Sequence, residues 1–205
     1  MKVVITSEML IETEIAMFAD ADAMNALHDA QYSVAILSYV ADRDDSDKNK
    51  QKMQKVAQIA NKANVRDMMK ACNVSLVRFD SRAMYATEKC VKIIDAALND
   101  SAFNDNALAT IKTALLCADA NVNLTFADIE CAMSKDIKIA DARSAYVYRR
   151  NALQSAATVN AQSQQCRDML LTLKIAKKVN DKTFSIDADN AFLKIARVAF
   201  AELTC

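Results

Sequence analysis

Apolar residues recur along this 205-residue chain at steps of three and four, the spacing that lays one stripe along an α-helix. The first such stretch runs from about Ser7 to Ala41, where Ile11, Ile15, Phe18, Ala23, Leu27, Ala30, Val34 and Leu37 share a face. A second runs from about Asp47 to Leu98. Met53, Val56, Ala60 and Ala63 open its stripe, which resumes at Cys72, Leu76, Phe79, Ala83, Cys90, Ile94 and Ala97. Unbroken, this helix would be roughly 75 Å long at about 1.5 Å per residue. Asn73-Val74-Ser75 is its weak point.

The third stretch, Ala107 to Ala118, is short. The fourth begins at Thr125, whose hydroxyl can cap a helix while Asp128 sits where a capping box needs an acceptor. Its stripe through Ile139, Ala142, Tyr146, Leu153, Val159, Cys166, Leu170 and Leu173 predicts a helix to about Val179, with a candidate break at Ser134-Lys135-Asp136. The fifth, Ile186 to Leu203, takes Ser185 as its cap and turns Phe192, Ile195, Ala196 and Ala199 inward. Only Lys2 to Thr6 reads as a strand, and with nothing to pair with it is expected to be an extended arm. The pattern therefore predicts an all-α protein, an elongated helical bundle with long, coiled-coil-like helices. A single domain over residues 1–205 is expected, with a sub-boundary near 99–106.

What separates these stretches is unusual. The chain contains no glycine and no proline, where average usage would supply roughly 14 and 10. Its breaks must come from Asn, Asp and Ser, clustered at Asp42–Asp47, Asn99–Asn106, Asp119–Thr125 and Asn180–Ser185. Two causes fit the absence. One is selection for long uninterrupted helices. The other is avoidance of GG and CC dinucleotides, which every Gly, Pro and Trp codon contains, and Trp is missing as well.

Charge changes the picture further, because the net of zero hides a partition. Residues 1–47 carry two basic side chains against ten acidic, a net of −8. Residues 48–70 carry seven basic against one acidic, and residues 138–182 nine against three, +6 in each. Solvated helix faces with mixed ion pairs would account for this. So would an acidic helix lying antiparallel against a basic one, within the chain or between copies. A third reading places a phosphate backbone on the basic faces 48–70 and 138–182, with Lys48, Lys52, Lys55, Lys62, Arg143, Arg149 and Arg150 as the contacts. A faint helix-turn-helix outline, Leu124–Met133 followed by a basic stretch ending in Tyr148-Arg149-Arg150, belongs with that third reading.

Much chemistry is excluded. Phosphate-cradling loops of the Walker, dinucleotide and kinase types need glycine. The one histidine, His28, has no Glu-x-x-His partner and no nucleophile on a glycine elbow. The six cysteines form no CxxC pair and read as small buried hydrophobes rather than zinc ligands. No catalytic, cofactor-binding or metal-ligating residue is assigned, and no cofactor is expected. No apolar run approaches the length of a membrane span, and the first residues are too short for a signal-peptide core, so an intracellular location is expected, in the cytoplasm or in a particle assembled there. The expectation is a non-enzymatic structural or interaction protein. It would assemble with itself or another protein through helix faces, as a viral or mobile-element particle component or a stoichiometric inhibitor. Nucleic-acid binding is the alternative.

Overall fold

A computed structural model of the protein describes residues 55–56, 58–60, 62–74, 83–150 and 154–201. The expected arm Lys2–Thr6, the helix Ser7–Ala41, His28, Lys48 and Lys52 lie outside the described residues. The protein is mostly helical, and it also contains a small three-stranded sheet that the all-α expectation did not include. In chain order the elements are α1 (Ala63–Ala71), α2 (Ala83–Asn99), α3 (Asp105–Asp119), β1 (Leu124–Thr125) and α4 (Phe126–Met133). A 3₁₀ turn follows (Asp141–Tyr146), then α5 (Ala156–Thr172), β2 (Ala176–Asn180), β3 (Thr183–Ile186) and α6 (Ala191–Ala199).

Without glycine, helix ends here are built from other residues held in the left-handed region. Asn73, Asp100, Asn121 and Lys174 have φ of 51°, 50°, 52° and 57°. Three of them close helices in the same way. After α1, the Asn73 N–H bonds the Lys70 carbonyl at 2.8 Å and the Val74 N–H bonds that of Met69 at 3.0 Å. After α3, Asn121 and Val122 bond Ala118 and Cys117 at 3.1 and 2.9 Å. After α5, Lys174 and Ile175 bond Leu171 and Leu170 at 3.2 and 3.0 Å. This paired bonding is the Schellman motif, which usually takes glycine at the left-handed position and an apolar residue next. The apolar residues are present: Val74 and Ile175 are buried, and Val122 packs partly buried against the core.

These stops cut the two long helices expected from the stripes. Residues 47–98 do not form one helix, because the Asn73 turn ends α1. The stretch 125–179 is divided more thoroughly. α4 stops at Met133, where the Ser134 hydroxyl accepts the N–H groups of Asp136 (3.0 Å) and Ile137 (3.2 Å) and so offers the backbone a turn in place of a further helical bond. The chain then runs through the 3₁₀ turn, with no second α-helix among described residues 134–150, so the helix-turn-helix outline is not formed.

The sheet replaces the end of the fourth predicted helix and the start of the fifth. β3 lies centrally in the order β1-β3-β2, antiparallel to both, with Leu124 opposite Phe184 and Ala176 opposite Ile186. The spacing of Ile175, Ala176 and Val179 fits a helix face as well as a strand, so periodicity alone misassigns it. The hairpin turn needs no positive φ: the Asn180 side chain accepts the Lys182 N–H at 2.9 Å, and the register shifts by a bulge beside Val179. Ser185 is consequently a strand residue, not a cap. α6 is capped by Asn190, whose side-chain oxygen accepts the N–H groups of Phe192 and Leu193 at 3.0 and 3.1 Å. The expected box at α4 does form, with Thr125 and Asp128 each bonding the other's backbone.

α5 packs against α2, α3 and α4, while α1 and α6 pack on α2. Val91, Ile94, Ile111, Ile129, Met169, Leu170, Phe184 and Phe192 are among the side chains fully enclosed between them. Each such residue contributes about 1.5–3 kcal/mol by burial. α3 is enclosed on most of its faces, and its buried set includes Asn106, Thr110, Lys112 and Thr113. A buried helix that keeps this many polar groups has to bond them internally.

Candidate functional site: a polar cleft above a buried amide relay

The polar face of α3 anchors a chain of hydrogen bonds whose direction is set from one end. Arg150 can only donate. Its Nη1 bonds Asn106 Oδ1 at 2.6 Å and its Nη2 bonds Asp105 Oδ2 at 2.8 Å. With its oxygen thus taken, Asn106 turns Nδ2 toward Gln162 Oε1 at 3.3 Å. The same oxygen accepts Lys89 Nζ at 2.9 Å, and an ammonium likewise only donates. Two cations therefore fix the orientation of two amides. Asn106 and Lys89 are 3% and 6% exposed, so the relay is effectively inside the protein.

The relay surfaces in a cavity of about 180 Å³ between α2 and α5. Lys89, Lys92, Gln162 and Gln165 line it together with Tyr85 and Asn104; Lys89 is buried, and Tyr85 and Asn104 are exposed. Glu88 also lines it and bonds Lys92 at 2.8 Å. Asn104 caps α3, its oxygen accepting the N–H groups of Asn106 and Ala107 at 3.0 and 3.2 Å. Its amide NH₂, like that of Gln162, is thereby left as the group available to the cavity.

Of the candidate phosphate contacts, Lys62, Arg143, Arg149 and Arg150 are bonded within the structure. Lys55 is exposed, and Lys62 Nζ bonds Asp95 at 2.7 Å. Asp95 also accepts from Asn99 and Ser101. Its burial opposes ionisation, but these hydrogen bonds and the Lys62 charge outweigh it and hold the carboxyl below its usual range. Arg143 grips Asp128 through Nε at 2.8 Å and Nη2 at 2.5 Å and also bonds the Asn123 carbonyl. The hydrogen bond to Asp128 raises the guanidinium pKa further. Arg149 donates to the carbonyls of Cys131, in the last turn of α4, and of Ser134 and Ile137 beyond its end. Arg150 belongs to the relay. All three arginines thus tether the segment between α4 and α5 to the body of the fold.

The cysteines are core residues. Cys72, Cys90, Cys117, Cys131 and Cys166 are buried and free. Burial pushes their thiols up, Cys90 well above its ordinary value and Cys117 to about 11, where the nearby Asp128 charge adds to the effect. Among the described residues no group of His, Cys, Asp and Glu is arranged to hold a metal, and no described helix is long and apolar enough to cross a membrane.

The sequence does not mark Lys89, Asn106 and Gln162 as a site, since only the fold brings residues from α2, α3 and α5 together. One signal was present. Residues 106–118 hold a single charge, Lys112, and a helix nearly uncharged on every face is one to be buried. The chain matches no known protein family, no curated protein and no solved structure.

Proposed function

We propose that this is a non-enzymatic interaction protein that assembles with copies of itself or with another protein, its contacts oriented by charge. The observation that carries the reading is the partition of charge along the chain. Residues 1–47 have a net of −8, and the remaining residues hold 24 basic against 16 acidic side chains, a net of +8. Opposite fields on separate parts of one chain speed encounter and select register between partners. The fold supports a protein contact over a phosphate contact. The arginines 143, 149 and 150 that sequence offered to a nucleic-acid backbone are bonded within the structure. The exposed Lys177 and Lys178 lie within the bulged edge strand β2, a placement that discourages indiscriminate strand pairing and leaves recognition to side chains.

Light scattering across a concentration series, repeated at high salt, tests this. Mass rising with concentration and falling back in salt is the expected result. A strict monomer at every concentration, with no partner recovered by pull-down, overturns it. Retardation of duplex DNA at low salt, with a log–log salt slope near −0.9 per contact, would replace it with the nucleic-acid reading.

A further inference from the structure

We propose that the cleft between α2 and α5 is a binding site for a small oxyanion, a phosphate or a short carboxylate. The inference is independent of the assembly reading and rests on the donors that the relay leaves facing the cavity. Arg150 sets Asn106, Asn106 and Lys89 set Gln162, and the backbone of α3 sets Asn104, so neither lining amide can turn its oxygen inward without losing two hydrogen bonds. Gln162 and Asn104 each present an NH₂. Lys92, partly exposed, adds a cation to the lining, and the buried Lys89 adds a second. Among the described lining residues Glu88 is the one carboxylate, and it is bonded to Lys92, so these described side chains sum to +1. The positive end of the α3 dipole lies beside Asn104, on the same side of the balance.

Size narrows the class. The cavity of about 180 Å³ has the volume of roughly six liquid waters, taking about 30 Å³ for each. That admits phosphate or a two- to three-carbon carboxylate, and it falls short of the roughly 300 Å³ at which pockets for larger ligands begin. A donor-rich wall of cation and amide hydrogens favours an acceptor-only ligand, since charge-assisted hydrogen bonds to an oxyanion are about twice as strong as neutral ones.

Titration calorimetry with inorganic phosphate, and separately with malonate, tests the site, alongside thermal unfolding at matched ionic strength in chloride. The expected result is saturable single-site binding of at least one anion, with a melting temperature that rises with that anion and not with chloride. The tighter of the two names the ligand class. Lys92→Gln removes the partly exposed charge without touching the core and should weaken binding at least fivefold; Lys89→Met should abolish it if that variant folds. No binding heat, with a melting temperature that follows ionic strength alone, overturns the proposal. So does a Lys92→Gln protein that binds as tightly as the parent.

Discussion

Lys174 sits at φ 57° in the Schellman turn that ends α5, and Lys174→Gly should make the protein more stable. The two bonds of the turn are made by backbone groups, so removing the side chain leaves them in place. Lys174 is exposed, and its side chain joins no ion pair among the described residues. An L-residue with a Cβ in this conformation is strained by about 1–2 kcal/mol. Glycine removes that strain but gains freedom in the unfolded chain, which offsets about 0.5–1 kcal/mol. The net is a stabilisation of about 0.5–1 kcal/mol, or an increase of about 1–4 °C in melting temperature for a chain of this size. Urea unfolding followed by far-ultraviolet circular dichroism measures it. Asn121→Gly is the control, and its change should be near zero, because asparagine tolerates the left-handed region. Lys174→Val should lose about 1 kcal/mol or more, since a β-branched side chain is worst there. A less stable Lys174→Gly protein, or an equal gain at Asn121, would refute the reasoning. The expected outcome bears on the missing glycines. Among the four described residues at positive φ only Lys174 would gain from glycine, a use that selection for uninterrupted helices does not by itself account for. Avoidance of GG and CC dinucleotides, the other cause that fits the absence, is compatible with a lysine at that position.

Three further outcomes are expected. Asp128, with a side chain 2% exposed, joins the α4 cap to Arg143, so Asp128→Ala should cost about 3 kcal/mol in urea unfolding, and Arg143→Met combined with it should add little more. A fully additive pair would show the two residues to be uncoupled. The thiols of Cys72, Cys90, Cys117, Cys131 and Cys166 should not react with an aromatic disulfide reagent at pH 8 until the protein unfolds, and rapid native labelling of any one by mass spectrometry would contradict their burial. The folded pKa of Asp95 lies below the unfolded value of about 3.9, so its stabilisation is complete above that pH and is lost as pH falls through the folded pKa. Asp95→Asn should therefore flatten the acid limb of the stability–pH curve, and an unchanged limb would remove the role given to the Lys62–Asp95 pair.

What the sequence determined by itself is local. Apolar residues at helical spacing specify α2, α3 and α6 as helices, because a stripe of that period sustained over nine or more residues lies on one face of a helix and not of a strand. The stops at Asn73, Asn99-Asp100 and Asn121, and the Thr125–Asp128 box, were equally legible, since each depends on residues within one turn of one another. The segment after Leu173 was not. Ile175, Ala176 and Val179 suit either a helix or a strand, and β3 becomes a strand by pairing with Leu124 and Thr125, about sixty residues earlier in the chain. The arginines show the same division. Sequence records that Arg143, Arg149 and Arg150 are basic, and that is compatible with a phosphate partner. Only the packed structure, which carries Asp128, the carbonyls beyond α4 and Asn106 to within hydrogen-bonding distance, turns them inward. The amide relay lies further still from what a sequence records. Its geometry follows from which groups can only donate, and that logic operates once three helices have brought Lys89, Asn106 and Gln162 together.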